Sequence, residues 1–302
     1  MFLVAFRVTL NVVDSNVIDV GYAGVIGADR LVDGERLYGD FPPDNEHGDT
    51  YGPVNYAAYV PFELLLPWSS GTWDDLPAAH AAAIAFDLGC AALLWRLGGV
   101  LLAYLWMCFP FTLMVANSGA NDALVALLVL AALLAASRPA ARGALVALAG
   151  LTKLAPLALA PLFAAYRPRR PLAFGAAFAA VVVLALAPFD LSVLWERTLG
   201  FQQDRASPFS IWGLYELPDW LQLAAQALAV GFAVGVAFLR PAGVGALAAL
   251  AAAVLIALQL VVDHWFYLYV VWFAPLTWVA LLAGPARSSP PAAAATPAPA
   301  PR

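Results

Sequence analysis

Lys153 is the residue whose type and place most demand chemistry. It is the only lysine among 15 basic residues, and it sits in the middle of an apolar, proline-broken stretch, LAGLTKLAPLALAP, within residues 143–165. A lysine at the centre of a membrane-buried helix costs roughly 2.5–3.5 kcal/mol on insertion scales. About ten helical residues at ~1.5 Å each place it ~15 Å in from the neighbouring arginines, near the middle of a bilayer. Two readings follow. The lysine binds an anion, with a phosphate as the natural ligand, or it is structural, snorkelling or pairing with Asp87, the acid lying mid-way along another apolar stretch.

Three further groups have suitable types and spacing. Asp14 and Asp19 follow the first apolar stretch, where a carboxylate at a cavity mouth can act as general base; they can equally be ordinary loop acids. Asn117, Asn121 and Asp122, in VANSGANDAL, join two apolar stretches and offer amides and a carboxylate to a polar ligand, or simply cap the next helix. Asp263 and His264 open the last apolar stretch. Trp265, Tyr267 and Tyr269 beside them fit an interfacial aromatic belt and need no special role. No metal-ligand spacing, phosphate loop, dinucleotide fingerprint or nucleophile elbow is present. Cys90 and Cys108 lie in apolar stretches without ligand spacing.

The elements that must carry these residues are membrane helices. Of 302 residues 63% are hydrophobic and 12% charged, against roughly 25% charged in soluble domains. Spanning helices are expected at 77–96, 99–117, 121–137, 172–188, 219–239, 243–262 and 265–283. Residues 1–13 read as the outer end of a longer helix or as a short interfacial segment, with Arg7 interrupting them. Residues 14–76 form an outward loop. Within it 20–32 has a helical pattern suited to the membrane surface, 41–53 is turn-rich, and 54–67, broken by Pro61 and Glu63, is interfacial or re-entrant. Residues 1–283 make one domain, and 284–302 are a disordered Pro/Ala-rich cytoplasmic tail. The fold class is all-α: a polytopic transmembrane bundle whose outward loop carries short juxtamembrane helices.

Charge orients the bundle. Arg96, Arg138, Arg142, Arg167, Arg169, Arg170, Arg240, Arg287 and Arg302 share one side if 143–165 enters and leaves by the same face and 54–67 does not span. The positive-inside rule makes that side cytoplasmic. Nine of the 20 acidic residues lie in 14–52, which then faces outward with 189–218.

Four passages together resemble the GT-C polytopic glycosyltransferases, most closely glycosyltransferase family 87, the polyprenyl-phosphate-mannose-type enzymes of actinobacteria. They are IDVGYAGVIGADRLVDGERLYGDF, with Asp19, Tyr22, Gly34 and Tyr38 in an Asp-x-x-Tyr…Gly…Leu-Tyr pattern; TYGPVNYAAYVPFELLLP; NSGANDALVALLVLAALLAA followed by RGALVALAGLTKLAPLALAPL with its Lys-x-x-Pro; and HWFYLYVVWFAP. The likeness covers about 15–280. It departs at Gly119-Ala120, where family members often carry Gly-Gln.

The resemblance implies a mannosyltransferase-like enzyme of the cell envelope, in the plasma membrane, with its active site on the extracytoplasmic side. The donor is a sugar on a polyprenyl phosphate and the acceptor a glycan or glycolipid; no cofactor and no nucleic acid is expected, and metal dependence stays open. Asp19 matches the base, with Asp14 as the other candidate. Lys153, Tyr22, Asn121, Asp122 and His264 are the expected substrate-binding residues. The alternatives are a transporter or flippase of a lipid-linked or anionic solute, which also uses a mid-membrane lysine, and a non-catalytic membrane protein. The lack of an internal repeat weighs against a transporter of duplicated halves.

Overall fold

A hairpin of two apolar helices organises the molecule. The computed structural model describes residues 1–68, 76–167, 171–201, 209–215 and 217–283. Helix α7 (Asp122–Leu134) and helix α8 (Pro139–Thr152) run antiparallel, joined by residues 135–138. Pro139 starts α8 because its missing N–H is not needed in a first turn. The helices have 13 and 14 residues, so the first residue of α7 faces the last of α8.

The chain beyond Lys153 turns back. Pro156 and Pro161 open a 3-10 turn (Ala155–Leu159) and helix α9 (Ala160–Ala165). The returning segment ends beside its start, where buried Arg142 donates to the carbonyls of Ala136 and Tyr166. Helix α10 (Pro171–Leu186) packs along α8. It does so where Gly143 lies against the Phe174 carbonyl, leaving no room for a side chain.

The other described elements are also helical, and no strand occurs among them. They are α1 (Phe2–Val13), α2 (Asp19–Asp33), α3 (Pro53–Leu65), α4 (Pro77–Gly98), α5 (Val100–Cys108), α6 (Pro110–Asn117), α11 (Leu191–Trp195), α12 (Ile211–Tyr215), α13 (Asp219–Gly235), α14 (Val244–Gln259) and α15 (Val270–Leu282). Two helices, Pro77–Gly98 and Asp219–Leu239, are long and apolar enough to cross a membrane; the number reaches four if each of two bent pairs is one span.

Several expected spans are shorter or bent. Residues 99–117 break at Phe109–Pro110 with a 63° bend, since Pro110 cannot donate the hydrogen bond that would continue the helix. The segment after α10 turns by 104° into 191–200. The expected 121–137 and 243–262 shorten to 122–134 and 244–259, because residues 135–138 and 260–262 leave the helices; the expected 265–283 forms over 267–282, as a 3-10 turn (Tyr267–Tyr269) that runs into 270–282. Residues 284–302, expected to be a disordered tail, lie outside the described residues, as do Arg169, Arg170, Arg287 and Arg302.

Residues 20–32 also differ from expectation. As α2 they do not lie on a surface: every residue from Val20 to Ala28 is buried. Gly24 lies against the phenol end of Tyr59, and Gly27 against the ring of Tyr56. The three-residue spacing of the glycines matches that of the tyrosines on α3, so two antiparallel helices interlock ring over glycine.

The bundle has two chemically different ends. Arg142 meets Tyr166 at one end, where Gly98 and Gly245 both approach Ala283. At the other end α2, the loop 34–52, the turn 117–121, the end of α8 and the start of α15 converge. Asn16 and Ile18 donate to the carbonyls of Asn117 and Ser118, and Gly52 donates to Thr152. Trp212 reaches the Leu260 carbonyl there.

Candidate functional site

Gly52 fixes the centre of this second end. A side chain at Gly52 would collide with the Leu151 carbonyl, so only glycine lets the loop lie directly on the end of α8. That contact sets Tyr51 over Lys153, with the ammonium 5.3 Å from the ring centroid.

Lys153 is held in a cage. Its Nζ lies 2.8 Å from Asp122 Oδ1, and it also sits 5.3 Å from the Tyr269 ring and 5.4 Å from that of Trp272. Trp272 Nε1 donates to the same Asp122 oxygen at 2.9 Å. Asp122 opens α7 and Lys153 follows α8, positions at which the helix dipoles favour a carboxylate and a cation respectively. The partner of Lys153 is therefore Asp122, not Asp87. Asp87 is bound by Arg7, at 2.6 and 2.9 Å, and by Trp106 Nε1 at 2.8 Å. Arg7, read from sequence as an interruption, anchors α1 to α4. Lys153 itself caps α8 at the end where the loops converge.

Asp19 lies in a separate but adjoining place. It lines a cavity of about 390 Å³ with Asp44, Glu46, His47, Tyr51 and Phe201 among the walls. This is within the ~300–1,000 Å³ of small-molecule sites. One Asp19 oxygen accepts from the Val20 N–H at 2.9 Å, and its carbonyl accepts from Asn45 Nδ2 at 2.9 Å. Tyr22 is one helical turn on, on the same face. Its hydroxyl bonds Asp44, and burial first, then the Asp44 charge, holds the phenol above its ordinary pKa. Tyr51 belongs to both places, as cavity wall and as roof of the Lys153 cage.

The remaining expected residues are distributed around these two. His264 sits 6.2 Å from the Tyr269 ring, which stacks on Trp272 at 4.5 Å; it stands behind the cage. Asn121, fully buried, donates to Asn55 Oδ1 at 2.6 Å and locks α3 to the start of α7. Asp14 is exposed at the end of α1 and is not among the cavity's lining residues; its N–H donates to the Leu10 carbonyl and its carbonyl accepts from Asn117 Nδ2. Among the described residues no group of three or more His, Cys, Asp or Glu could hold a metal ion.

Sequence reading missed several residues here. Arg197 donates to both oxygens of buried Asp49 at 2.7 Å and to the Glu46 carbonyl. An arginine in a loop placed on the acidic side was the available signal. Phe201 follows on a π-helical turn (Glu196–Gly200) and lies against His47, the rings tilted by 33° with centroids 4.7 Å apart. Tyr51 and Trp272 carried no signal by type, since aromatics are expected near a membrane surface. Compared with family models, with curated proteins and with solved structures, the chain finds no match in any of the three.

Proposed function

We propose that this chain is a multi-pass plasma-membrane glycosyltransferase of the GT-C kind. It moves a hexose, mannose by the resemblance to family 87, from a polyprenyl phosphate to a glycan or glycolipid on the extracytoplasmic side. The observation that carries this reading is the position of Asp19. The residue matching the family's base lines the 390 Å³ cavity, at the end of the bundle opposite the arginine-bearing turns. Exposed apolar side chains on α10 and α13, among them Leu172, Leu184, Leu223 and Leu228, suit helices that face lipid.

In this reading Asp19 takes the proton of an acceptor hydroxyl. The hydroxyl oxygen bonds to the anomeric carbon as the bond from that carbon to the phosphate oxygen breaks, and the polyprenyl phosphate leaves with the electron pair. Tyr22, held to Asp44, orders the cavity wall next to the base. Lys153, held by Asp122 and roofed by Tyr51, offsets charge developing on the phosphate through the Tyr51 side of the cage.

A second reading of Lys153 rests on the same geometry. Its charge is already matched by Asp122 at 2.8 Å, which makes the pair a structural staple between α7 and α8. Affinity for polyprenyl phosphate in Lys153→Met separates the two roles: loss supports the electrostatic one, and unchanged affinity leaves the staple. The enzyme reading as a whole is tested with purified protein and a polyprenyl-phosphate hexose. Acceptor-dependent release of polyprenyl phosphate supports it; a donor that is only moved between leaflets supports the flippase alternative.

A further inference from the structure

The second loop contributes a wall to the Asp19 cavity, and the way it is fastened is specific. Arg197 grips Asp49 with two hydrogen bonds of 2.7 Å, in a bidentate arrangement that fixes both position and angle. Asp49 is fully buried and also accepts from the Gly39 N–H at 2.6 Å. The clasp therefore joins the two loops through a group that has no other place to go. One turn further on, Phe201 lies against His47 with its ring tilted by 33°. Both rings line the cavity that contains Asp19. The turn that carries Arg197 is π-helical, a geometry frequent at functional sites.

The charges of this cavity are one-sided. Asp19, Asp44 and Glu46 are in its wall. The nearest strong cations are each matched to a carboxylate outside it, Arg197 to Asp49 and Lys153 to Asp122. An acceptor bearing a carboxylate enters against this field, whereas the donor phosphate of the proposed reaction belongs on the Tyr51 side, next to Lys153. A guest rich in hydroxyl groups gives hydrogen bonds to the carboxylates and lays its C–H face on the rings. We propose that His47 and Phe201, locked by the Arg197–Asp49 clasp, form the stacking face for an acceptor sugar ring that carries no acidic group. This rests on the reading of the Asp19 cavity as the transfer site, and it adds which residues seat the acceptor and which acceptors are refused.

The test uses the purified full chain and two probes: an uncharged hexose trisaccharide, and the same trisaccharide with one ring oxidised to a uronate. The wild type is expected to bind the uncharged probe more tightly. Phe201→Ala is expected to weaken that binding by about three- to tenfold, the range an aromatic contact supplies. It should raise KM for the acceptor by the same factor, with kcat within about twofold and polyprenyl-phosphate affinity unchanged. Phe201→Tyr should restore binding. Arg197→Lys keeps the charge but loses the fork, and should raise acceptor KM as well; a drop in melting temperature with no change in KM would reduce the clasp to a structural tie. Equal binding of both probes, no binding of either, or an unaltered Phe201→Ala overturns the proposal. If the wild type binds the uncharged probe but transfers nothing, the transfer reading fails and the stacking face stands. If it transfers equally well to the uronate, transfer stands and the stacking proposal falls.

Discussion

Lys153 Nζ lies 2.8 Å from Asp122 Oδ1, the last turn of one helix meeting the first residue of the helix before it. The lysine side chain is 10% exposed and the aspartate 1%. Breaking such a pair by removing one partner leaves a buried charge, at a cost of about 3–5 kcal/mol. Lys153→Met and Asp122→Asn are therefore each expected to lower the melting temperature in detergent. The double variant should recover part of the loss, because neither charge is left alone. A double variant as unstable as the sum of the singles would show that the two residues do not interact.

The Arg7–Asp87 pair makes a parallel prediction at the other side of α4. Arg7 and Asp87 are 3% and 2% exposed, and Trp106 adds a third hydrogen bond. Arg7→Met is expected to destabilise the protein by about 3–5 kcal/mol and to open α1 to proteolysis. Unchanged cleavage within residues 2–13 would mean that α1 is held by apolar packing alone.

Much of the helix order was readable, and the reasons for the failures are physical. Apolar length located α4 and α13 well, because neither has a proline or turn inside it. It overran at 121–137 and 243–262, where the residues just past the helices are nearly as apolar as the helices themselves and so leave little mark in composition. The Lys153–Asp122 pair was within reach: the two residues are nearly symmetric about Ser137 and Arg138, the turn of the α7–α8 hairpin. In sequence Asp87 is the more conspicuous partner, because it lies mid-helix, while its own partner, Arg7, reads only as a break in a short apolar stretch. The burial of α2 was not legible from hydrophobic pattern, since it depends on Gly24 and Gly27 receiving rings from another helix. The approach of Phe201 to His47 spans two loops more than 150 residues apart and left no local signal.

The α2–α3 interlock can be tested without touching the cavity. A methyl group on Gly27 meets the Tyr56 ring, and one on Gly24 meets Tyr59 at 2.7 Å. Overpacking of this kind costs about 1–3 kcal/mol. Gly27→Ala should lower the melting temperature, and Gly27→Ala with Tyr56→Leu should regain some of it. No loss in Gly27→Ala would show that α2 is free to move away.

Alkaline pH should loosen the loop end first. Burial, then Asp44, raises the Tyr22 phenol, and burial, then Asp49, raises that of Tyr38. In the unfolded chain a tyrosine ionises near pH ~10. Each raised phenol therefore contributes stability that is whole below pH ~10 and is lost as pH rises through its folded value. Melting temperature is expected to fall above pH ~10, and less steeply in Tyr38→Phe. A fall of equal slope in that variant would assign the effect to other groups.

Sidedness is a separate matter of labelling. Glu35 is exposed in the acidic loop and Ser137 is exposed in the arginine-bearing turn. In sealed cells a membrane-impermeant thiol reagent should reach Glu35→Cys and not Ser137→Cys, on a background lacking Cys90 and Cys108. The opposite pattern would reverse the orientation.

The proposed transfer depends on one carboxylate. Asp19 lines the cavity; Asp14, on the other side of a short linker, does not. The measurement is hexose transfer from a polyprenyl-phosphate donor by purified Asp19→Asn and Asp14→Asn beside the wild type, each checked for folding by melting temperature. Loss of a general base lowers turnover by about 10²–10⁴-fold. Asp19→Asn is expected to fall by that amount while it stays folded, with Asp14→Asn close to wild type. Near-normal transfer by Asp19→Asn would contradict the central claim, whatever the fate of Asp14→Asn.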